Sequence, residues 1–310
     1  MNTQSNAIPD TPVEAQGFAP AVIPESRILY WLVQRELWEN RSIYIAPLAV
    51  AGYILASTLI YYFRQAGKMR AALPLDPMQQ HEVFAQQVDF AALLIMGTTF
   101  LVAIFYCLDA LHGERRDRSI LFWRSLPVSD LMTVLSKASI PLVVLPLLTF
   151  AITVVTQGLM VLMGSVALMG SGLSVATLWN QLSLSQMWLG LLYHLVTIHA
   201  LWYAPIFCWL LLVSAWARRV PILWAVLPVL AIAVVETIAF HTSHFSAMLM
   251  NRIGGGGEAV VERGGLMMDP AMTHLTPVHF LSSAGLWIGL LVAAAFLAGA
   301  VRLRRSQGPI

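Results

Sequence analysis

Few residues in this chain have the types and settings to do chemistry. Glu236 is the only acid deep within an apolar run long enough to cross a bilayer. A charged acid at that depth costs about 2.5–3.5 kcal/mol on insertion scales, so Glu236 is expected to face a partner or a wet path for substrate or protons. The plain alternative is a helix-packing hydrogen bond made while protonated. His194 and His199 share another apolar run. Five residues at about 100° each place them roughly 140° apart on a regular helix, which argues against a shared metal unless Pro205 distorts the region. His241 and His244 would share a face, with Met248, Met250, Met267, Met268 and Met272 downstream. That set raises soft-metal handling such as copper, against the plain reading that Met is common in apolar segments near membranes.

Enzyme signals fail on inspection. His81-Glu82-Val83-Phe84-Ala85 begins like the zinc motif H-E-x-x-H but ends without its second histidine, and no G-x-S-x-G elbow is present. No G-x-x-x-x-G-K-[ST] phosphate loop occurs; the glycines Gly254 to Gly257 lead into Glu258 instead. The chain is therefore not expected to hydrolyse ATP by that route or to act as an enzyme, and no cofactor or metal of its own is expected.

The remaining chemical feature is the stretch from Asp109 to Lys137, where Glu114, Arg115, Arg116, Asp117 and Arg118 form an unbroken charged run. Such a run is expected in water or against another protein. Glu114 and Arg118 have the i,i+4 spacing of a helical ion pair, with Gly113 marking the end of the preceding span. Ile120, Trp123 and Leu126 recur every three residues as an apolar edge, with Phe122 beside them. Pro127 should stop this short helix. Ser129 and Asp130 then suit the cap and first turn of a helix running through Lys137. A surface loop placed by charge alone is the simpler reading, but it does not call for adjacent aromatics and a helix breaker.

The elements that must position these residues are membrane helices. The 310 residues are 58% hydrophobic and 11% charged, against about 25% charged in soluble domains, and mean hydropathy is +0.72. An all-α polytopic membrane protein is expected. At about 20 apolar residues per crossing, six spans are predicted over 43–63, 90–108, 138–163, 187–217, 220–240 and 280–301. The fourth is long enough to tilt or to bend near Pro205, and Pro141, Pro146 and Pro228 predict local kinks. Residues 1–24, with four prolines, read as a disordered tail. Residues 25–42, with Trp31, Trp38, Arg27, Arg35 and Arg41, read as an amphipathic helix in the membrane interface. Residues 43–310 form the six-span unit, with the coupling region at 109–137 and an extracytoplasmic loop at 241–279. Cys107 and Cys208 fall within spans and read as small apolar packing residues.

Basic residues set the expected topology. Arg27, Arg35 and Arg41, then Arg115, Arg116, Arg118, Arg124 and Lys137, then Arg218 and Arg219, then Arg302, Arg304 and Arg305 lie on the side holding both termini, thirteen of the 18 Lys and Arg residues. Both termini are therefore expected to be cytoplasmic. Arg64, Lys68 and Arg70 are the dissonant cluster. A net charge of +2 gives no support to nucleic-acid binding.

The run Glu114-Arg115, Ser119-Ile120-Leu121, Ser125-Leu126-Pro127-Val128-Ser129 and Lys137 resembles the ER…[ST]-[IL]…SLP[VI]S…K signature of ABC-2 type permeases, the membrane subunits of one class of ATP-driven exporters. Layout extends the resemblance over nearly the whole chain. It implies a permease in a bacterial inner (cytoplasmic) membrane, surrounded by lipid and paired with a second permease copy or paralogue. It also implies a cytoplasmic coupling helix that docks on a separate ABC ATPase subunit carrying the ATP and Mg. On this resemblance Glu114, Arg115, Ser119, Trp123, Leu126 and Pro127 lie at or near the ATPase contact. Arg116, Arg118 and Phe122 are added from their place in the same stretch, and Glu236, His194 and His199 are candidates for the translocation path. The competing expectation is a membrane-embedded metal-handling protein, or a proton-coupled secondary transporter working through Glu236.

Overall fold

The computed structural model describes residues 24–72, 77–125, 128–169, 184–254 and 277–308. Among them every regular element is helical. Helix α1 covers Glu25–Glu39, α2 Ser42–Ala72, α3 Pro77–Ala110, α4 His112–Arg116, α5 Ser119–Ser125, α6 Asp130–Ser139 and α7 Leu145–Met169. Then come α8 Leu184–His194, α9 Ala204–Trp216, α10 Pro221–Val235, α11 His244–Ile253, α12 Pro277–Ser282 and α13 Ala284–Ser306. The expected tail, most of the 241–279 loop and the phosphate-loop-like glycines after Gly254 lie outside the described residues.

Among the described residues five helical stretches are each long and apolar enough to cross a membrane: Ser42–Tyr62, Gln86–Arg116, Asp130–Val166, Pro221–Phe240 and Ala284–Ser306. A sixth arises if the pair Leu184–Trp202 and Ala204–Trp216, bent by 45°, is one span. The bend falls at Tyr203, two residues before Pro205, as expected from a residue that removes a backbone donor and clashes with the preceding turn. Helices α2 and α3 continue well beyond their apolar portions. The dissonant Arg64, Lys68 and Arg70 therefore sit on a helical extension of α2 past Tyr62, about 15 Å of helix at 1.5 Å per residue.

Three π-helical turns interrupt the regular geometry: Ile140–Val144, Leu195–Trp202 and Glu236–Phe240. The first contains Pro141 and ends two residues before Pro146. A widened turn accommodates proline rings that a tight α-helical ladder would reject. Pro228 and Pro47, by contrast, lie inside α10 and α2 without ending them.

The core forms where α3, α7, α9 and α13 meet. Ile43, Cys107, Ile140, Phe207 and Leu211 are buried in one cluster, and Cys107 and Cys208 are free thiols inside the apolar packing. Small residues let α13 approach α9 closely: Ala293 packs with Ala204 and Cys208, and Ala300 with Ala215. In lipid, where the surroundings are as apolar as the core, such close approach and polar bonds between helices drive association. Gln157 of α7 supplies one such bond network, donating to the Val88 carbonyl at 3.1 Å and accepting from the Trp188 indole at 3.0 Å.

At one end of the bundle, Ser214 of α9 is wholly buried and its hydroxyl accepts from the backbone N–H of Leu111 at 3.0 Å and of His112 at 2.9 Å. It thereby satisfies the start of α4, whose first N–H groups have no partner within the helix. Ser214→Ala is expected to cost about 2 kcal/mol by leaving two buried donors unmet. The control is Ser57→Ala, because Ser57 only bonds back to the Ile54 carbonyl. Thermal unfolding in detergent checks the pair; equal midpoints for the two variants would overturn this reading of Ser214.

Candidate functional site: a buried ionic cluster under the coupling region

The charged run of the coupling region does not face outward as a unit. Glu114 and Arg115 turn into the bundle and are buried, whereas Arg116, Asp117 and Arg118 are exposed. The expected Glu114–Arg118 pair is not formed. Helix α4 ends at Arg116, and Arg118 adopts φ 57°, a left-handed turn that carries it off the helical face before α5 begins. Gly113 lies within α4, where an added side chain would press on the Asp109 carboxylate.

Glu114 is the hub. Its Oε1 accepts from Lys137 Nζ at 3.1 Å and from Arg35 Nη2 at 3.4 Å, and its Oε2 takes the Arg304 guanidinium. Lys137 also meets Glu36 Oε1 at 2.8 Å, and Arg35 meets the same oxygen at 2.7 Å. The second Glu36 oxygen accepts from the Tyr106 hydroxyl at 2.9 Å. Arg304 Nε donates to Asp130 Oδ1 at 3.0 Å. Three carboxylates thus face three cations, and four elements far apart in sequence are joined: α1 through Arg35 and Glu36, α4 through Glu114, α6 through Asp130 and Lys137, and α13 through Arg304.

Glu36, Lys137 and Arg304 are 0%, 2% and 5% exposed. Removing such charges from water costs several kcal/mol each, which is tolerable only when the charges are paired and their hydrogen bonds filled. The local sequence explains how they arrive together. Leu32 and Glu36, four apart, form the buried side of α1. Ser129 caps α6 by accepting from Met132 N–H at 3.2 Å, which starts the helix so that Asp130 and Lys137, seven apart, lie on one side. Burial raises the pKa of the Glu36 carboxyl, but Lys137, Arg35 and the Tyr106 hydroxyl more than offset this and hold it below its ordinary value.

Arg115 makes a separate tie. Its Nη1 donates to the carbonyls of Ala215 at 2.6 Å and Ala217 at 3.3 Å, and its Nε donates to the Gly308 carbonyl at 3.3 Å. The guanidinium thus closes the C-terminal end of α9, where carbonyls are left without helical partners. Ser119 bonds back to the Glu114 carbonyl at 3.4 Å. On α5, Ile120 is buried, while Leu121 and Phe122 are 56% and 60% exposed. The side chain of Trp123, and Leu126 and Pro127 altogether, lie outside the described residues; α5 ends at Ser125.

The remaining candidates fall elsewhere. Glu236 accepts from Thr242 Oγ1 at 3.1 Å and from the Phe245 N–H at 2.9 Å. It sits at the first turn of α11, where a carboxylate complements unpaired N–H groups and the helix dipole. His194 and His199 are brought together, contrary to the regular-helix expectation, with ring centroids 5.6 Å apart. The cause is the π turn Leu195–Trp202, whose i→i+5 bonding stacks residues five apart. Phe100 and Tyr203 surround His199, and its Nδ1 is buried without a hydrogen-bond partner. Among the described residues no group of three His, Cys, Asp or Glu is placed to hold a metal.

The sequence pattern assigned Arg35 and Arg304 to topology, Lys137 to topology and the signature run, and Asp130 to the first turn of its helix, and it overlooked Glu36. The available signal was the position of Glu36 on the apolar side of α1 and of Lys137 at the threshold of a span, since a charge is expensive at either place without a partner.

The fold and this cluster define an all-α, multi-pass membrane protein whose helices are locked at one end by buried charge. Comparison with known protein families, curated proteins and solved structures finds no match to the chain.

Two expectations follow from the cluster. Lys137→Met removes the cation that Glu36 and Glu114 share, leaving the three carboxylates of the buried cluster one cation short, and should destabilise by about 3 kcal/mol; Lys137→Met/Glu36→Gln should recover a large part of that loss. Because the Glu36 pKa is depressed in the folded chain, its contribution is complete above the ordinary value of 4.5 and is lost as pH falls through the lower folded value. The wild type should therefore lose stability on acidification more steeply than Glu36→Gln. Unfolding in detergent across pH tests both, and a double variant no more stable than Lys137→Met would refute the pairing.

Proposed function

We propose that the chain is the permease subunit of an ATP-driven exporter of the ABC-2 type, moved by a separate ATPase subunit through the α4–α5 connection. The observation that carries this reading is the division of labour within Glu114 to Phe122. Glu114 and Arg115 anchor the connection to α1, α6, α9 and α13, while Arg116, Arg118, Leu121 and Phe122 stand outside. A patch with exposed aromatic and aliphatic side chains beside the exposed guanidinium groups of Arg116, which pairs with Asp117 at 3.1 Å, and Arg118 suits a groove on a partner protein. In this reading Glu114 and Arg115 position the docking element rather than touch the ATPase, and Ser119 steadies the turn between them.

The mechanism is mechanical. Closure of the ATPases displaces α5, the anchored α4 passes the displacement to the ionic cluster, and the cluster shifts α3, α6 and α13 together. Rigid elements with two packed arrangements then alternate access to a central path between two permease copies. Cytoplasmic termini, an inner-membrane location and a homodimer or heterodimer of permeases belong to the same proposal. Glu236 has its oxygens engaged at α11, which favours this reading over a secondary transporter that loads a proton there.

The test is isolation of the full chain from its native membrane in mild detergent, followed by identification of bound proteins. A phosphate-loop ATPase should co-purify with the wild type, and Phe122→Asp/Arg116→Glu should insert normally yet lose it. Recovery of the wild type without an ATPase would sink the assignment. Undiminished recovery with the variant would remove α5 as the docking element.

A further inference from the structure

Beside the anchored end of α9 lies a cavity of about 610 Å³ lined by Trp216, Ala217, Arg218, Arg219, Trp224 and Gln307. Three candidate spans end there: Ala204–Trp216 closes, Pro221–Phe240 opens, and Ala284–Ser306 closes one residue before Gln307. The walls therefore lie at the level where hydrocarbon gives way to headgroups. Trp216 and Trp224 meet edge to face with centroids 4.8 Å apart, at the depth where indoles are favoured because one side is apolar and the N–H stays wet.

The turn that forms the cavity is strained. Val220 has φ 44°, a left-handed conformation that is costly for a β-branched residue. Arg218 and Arg219, just before it, are exposed and meet no carboxylate among the described residues. A like charge, the Arg115 guanidinium, interacts electrostatically with Arg218. Two adjacent cations with no counter-ion, held at the rim of a concave site, leave an anion-shaped gap in the charge balance.

Helix α10 then leads away from the cavity with its side chains bare. Of Pro221–Val235 only Ala225 is buried, and Leu223, Val226, Leu227 and Leu230 are each more than half exposed. The combination of a cationic rim, an indole pair and an apolar track starting at the same place matches one ligand chemistry from end to end. We propose that the cavity binds an anionic phospholipid, with its phosphate on Arg218 and Arg219 and its acyl chains along α10. Guanidinium groups take a phosphate by paired N–H bonds, and basic pockets at the cytoplasmic ends of spans are a recurrent setting for acidic headgroups. The track along α10 selects a lipid over free phosphate, which would leave that face uncovered. This proposal does not rest on the exporter reading.

The test uses the purified full chain in a neutral detergent, titrated separately with phosphatidylglycerol, phosphatidylcholine and inorganic phosphate, while native mass spectrometry follows bound molecules. Phosphatidylglycerol should be retained at least roughly tenfold more tightly than phosphatidylcholine, as two unpaired arginines at a membrane surface imply. Arg218→Gln/Arg219→Gln should bring the two lipids to parity, with unchanged helicity because both side chains are exposed. Arg302→Gln, which removes an exposed cation from α13, should keep the preference. Equal retention by the wild type, a preference that survives the double variant, or an equal loss in Arg302→Gln would each overturn the proposal. Competition by inorganic phosphate would assign the rim to a free anion, and lipid-free pairs of chains would assign α10 to a second copy; either result also overturns it.

Discussion

Buried charge has to be neutralised, and that single constraint organises one whole end of this molecule. Glu114 cannot stay ionised among apolar helices unless Lys137 and Arg304 come to it. Lys137 in turn has more positive charge than Glu114 alone can satisfy while Arg304 competes, and Glu36 supplies the balance from α1. Arg304 reaches past Glu114 to Asp130. Each member is expensive to bury alone, so the four elements gain little from docking singly and most from docking as a set. Apolar packing between α9 and α13 brings the helices near one another. The charges decide the register at which they stop.

This arrangement also has mechanical consequences. Hydrophobic contact is non-directional and allows sliding, whereas hydrogen-bonded ion pairs hold their geometry within a few tenths of an ångström. Helix α4 is only five residues long, too short to hold its place by its own backbone bonds. It is fixed instead by Glu114 on one side, by Arg115 against α9 on another, and by Ser214 at its start. A force applied to α5 therefore meets a stiff joint rather than a loop. The α5 segment is bounded by the left-handed turn at Arg118 and the end of the helix at Ser125.

The membrane helices were legible in the sequence because bilayer thickness imposes a length and an apolar composition that local residues must meet alone. The predicted boundaries at 43–63 and 220–240 lie within one residue of the apolar stretches Ser42–Tyr62 and Pro221–Phe240. Proline chemistry placed the fourth-span bend, and Ser129 announced the start of α6. What escaped was whatever depends on partners distant in the chain. Glu36 and Glu114 are 78 residues apart, and no local pattern states that they share Lys137. The same holds for His194 and His199: a count of 100° per residue assumes α geometry, and the pair is joined by a π turn that ends at Trp202, next to the bend at Tyr203. Glu236, expected to need a partner, finds the Thr242 hydroxyl and the backbone N–H of Phe245, six and nine residues ahead.

The ionic cluster and the cationic cavity are neighbours through Arg115. Its guanidinium binds the carbonyl of Ala217, which lines the cavity, and the carbonyl of Gly308, adjacent to Gln307 on the opposite wall. Glu114, the next residue back, is the hub of the cluster. The two sites therefore use adjacent residues of one short helix whose side chains diverge, one toward three cations and the other toward free carbonyls. Their electrostatic states differ accordingly: the cluster is internally balanced, while the cavity rim carries Arg218 and Arg219 with no acid to match among the described residues. A balanced network gains nothing from further charge, whereas the rim offers two adjacent exposed cations to an anion. The strained Val220 turn, with φ 44°, joins the two spans directly after those arginines, and its backbone cost is borne by the packing on either side.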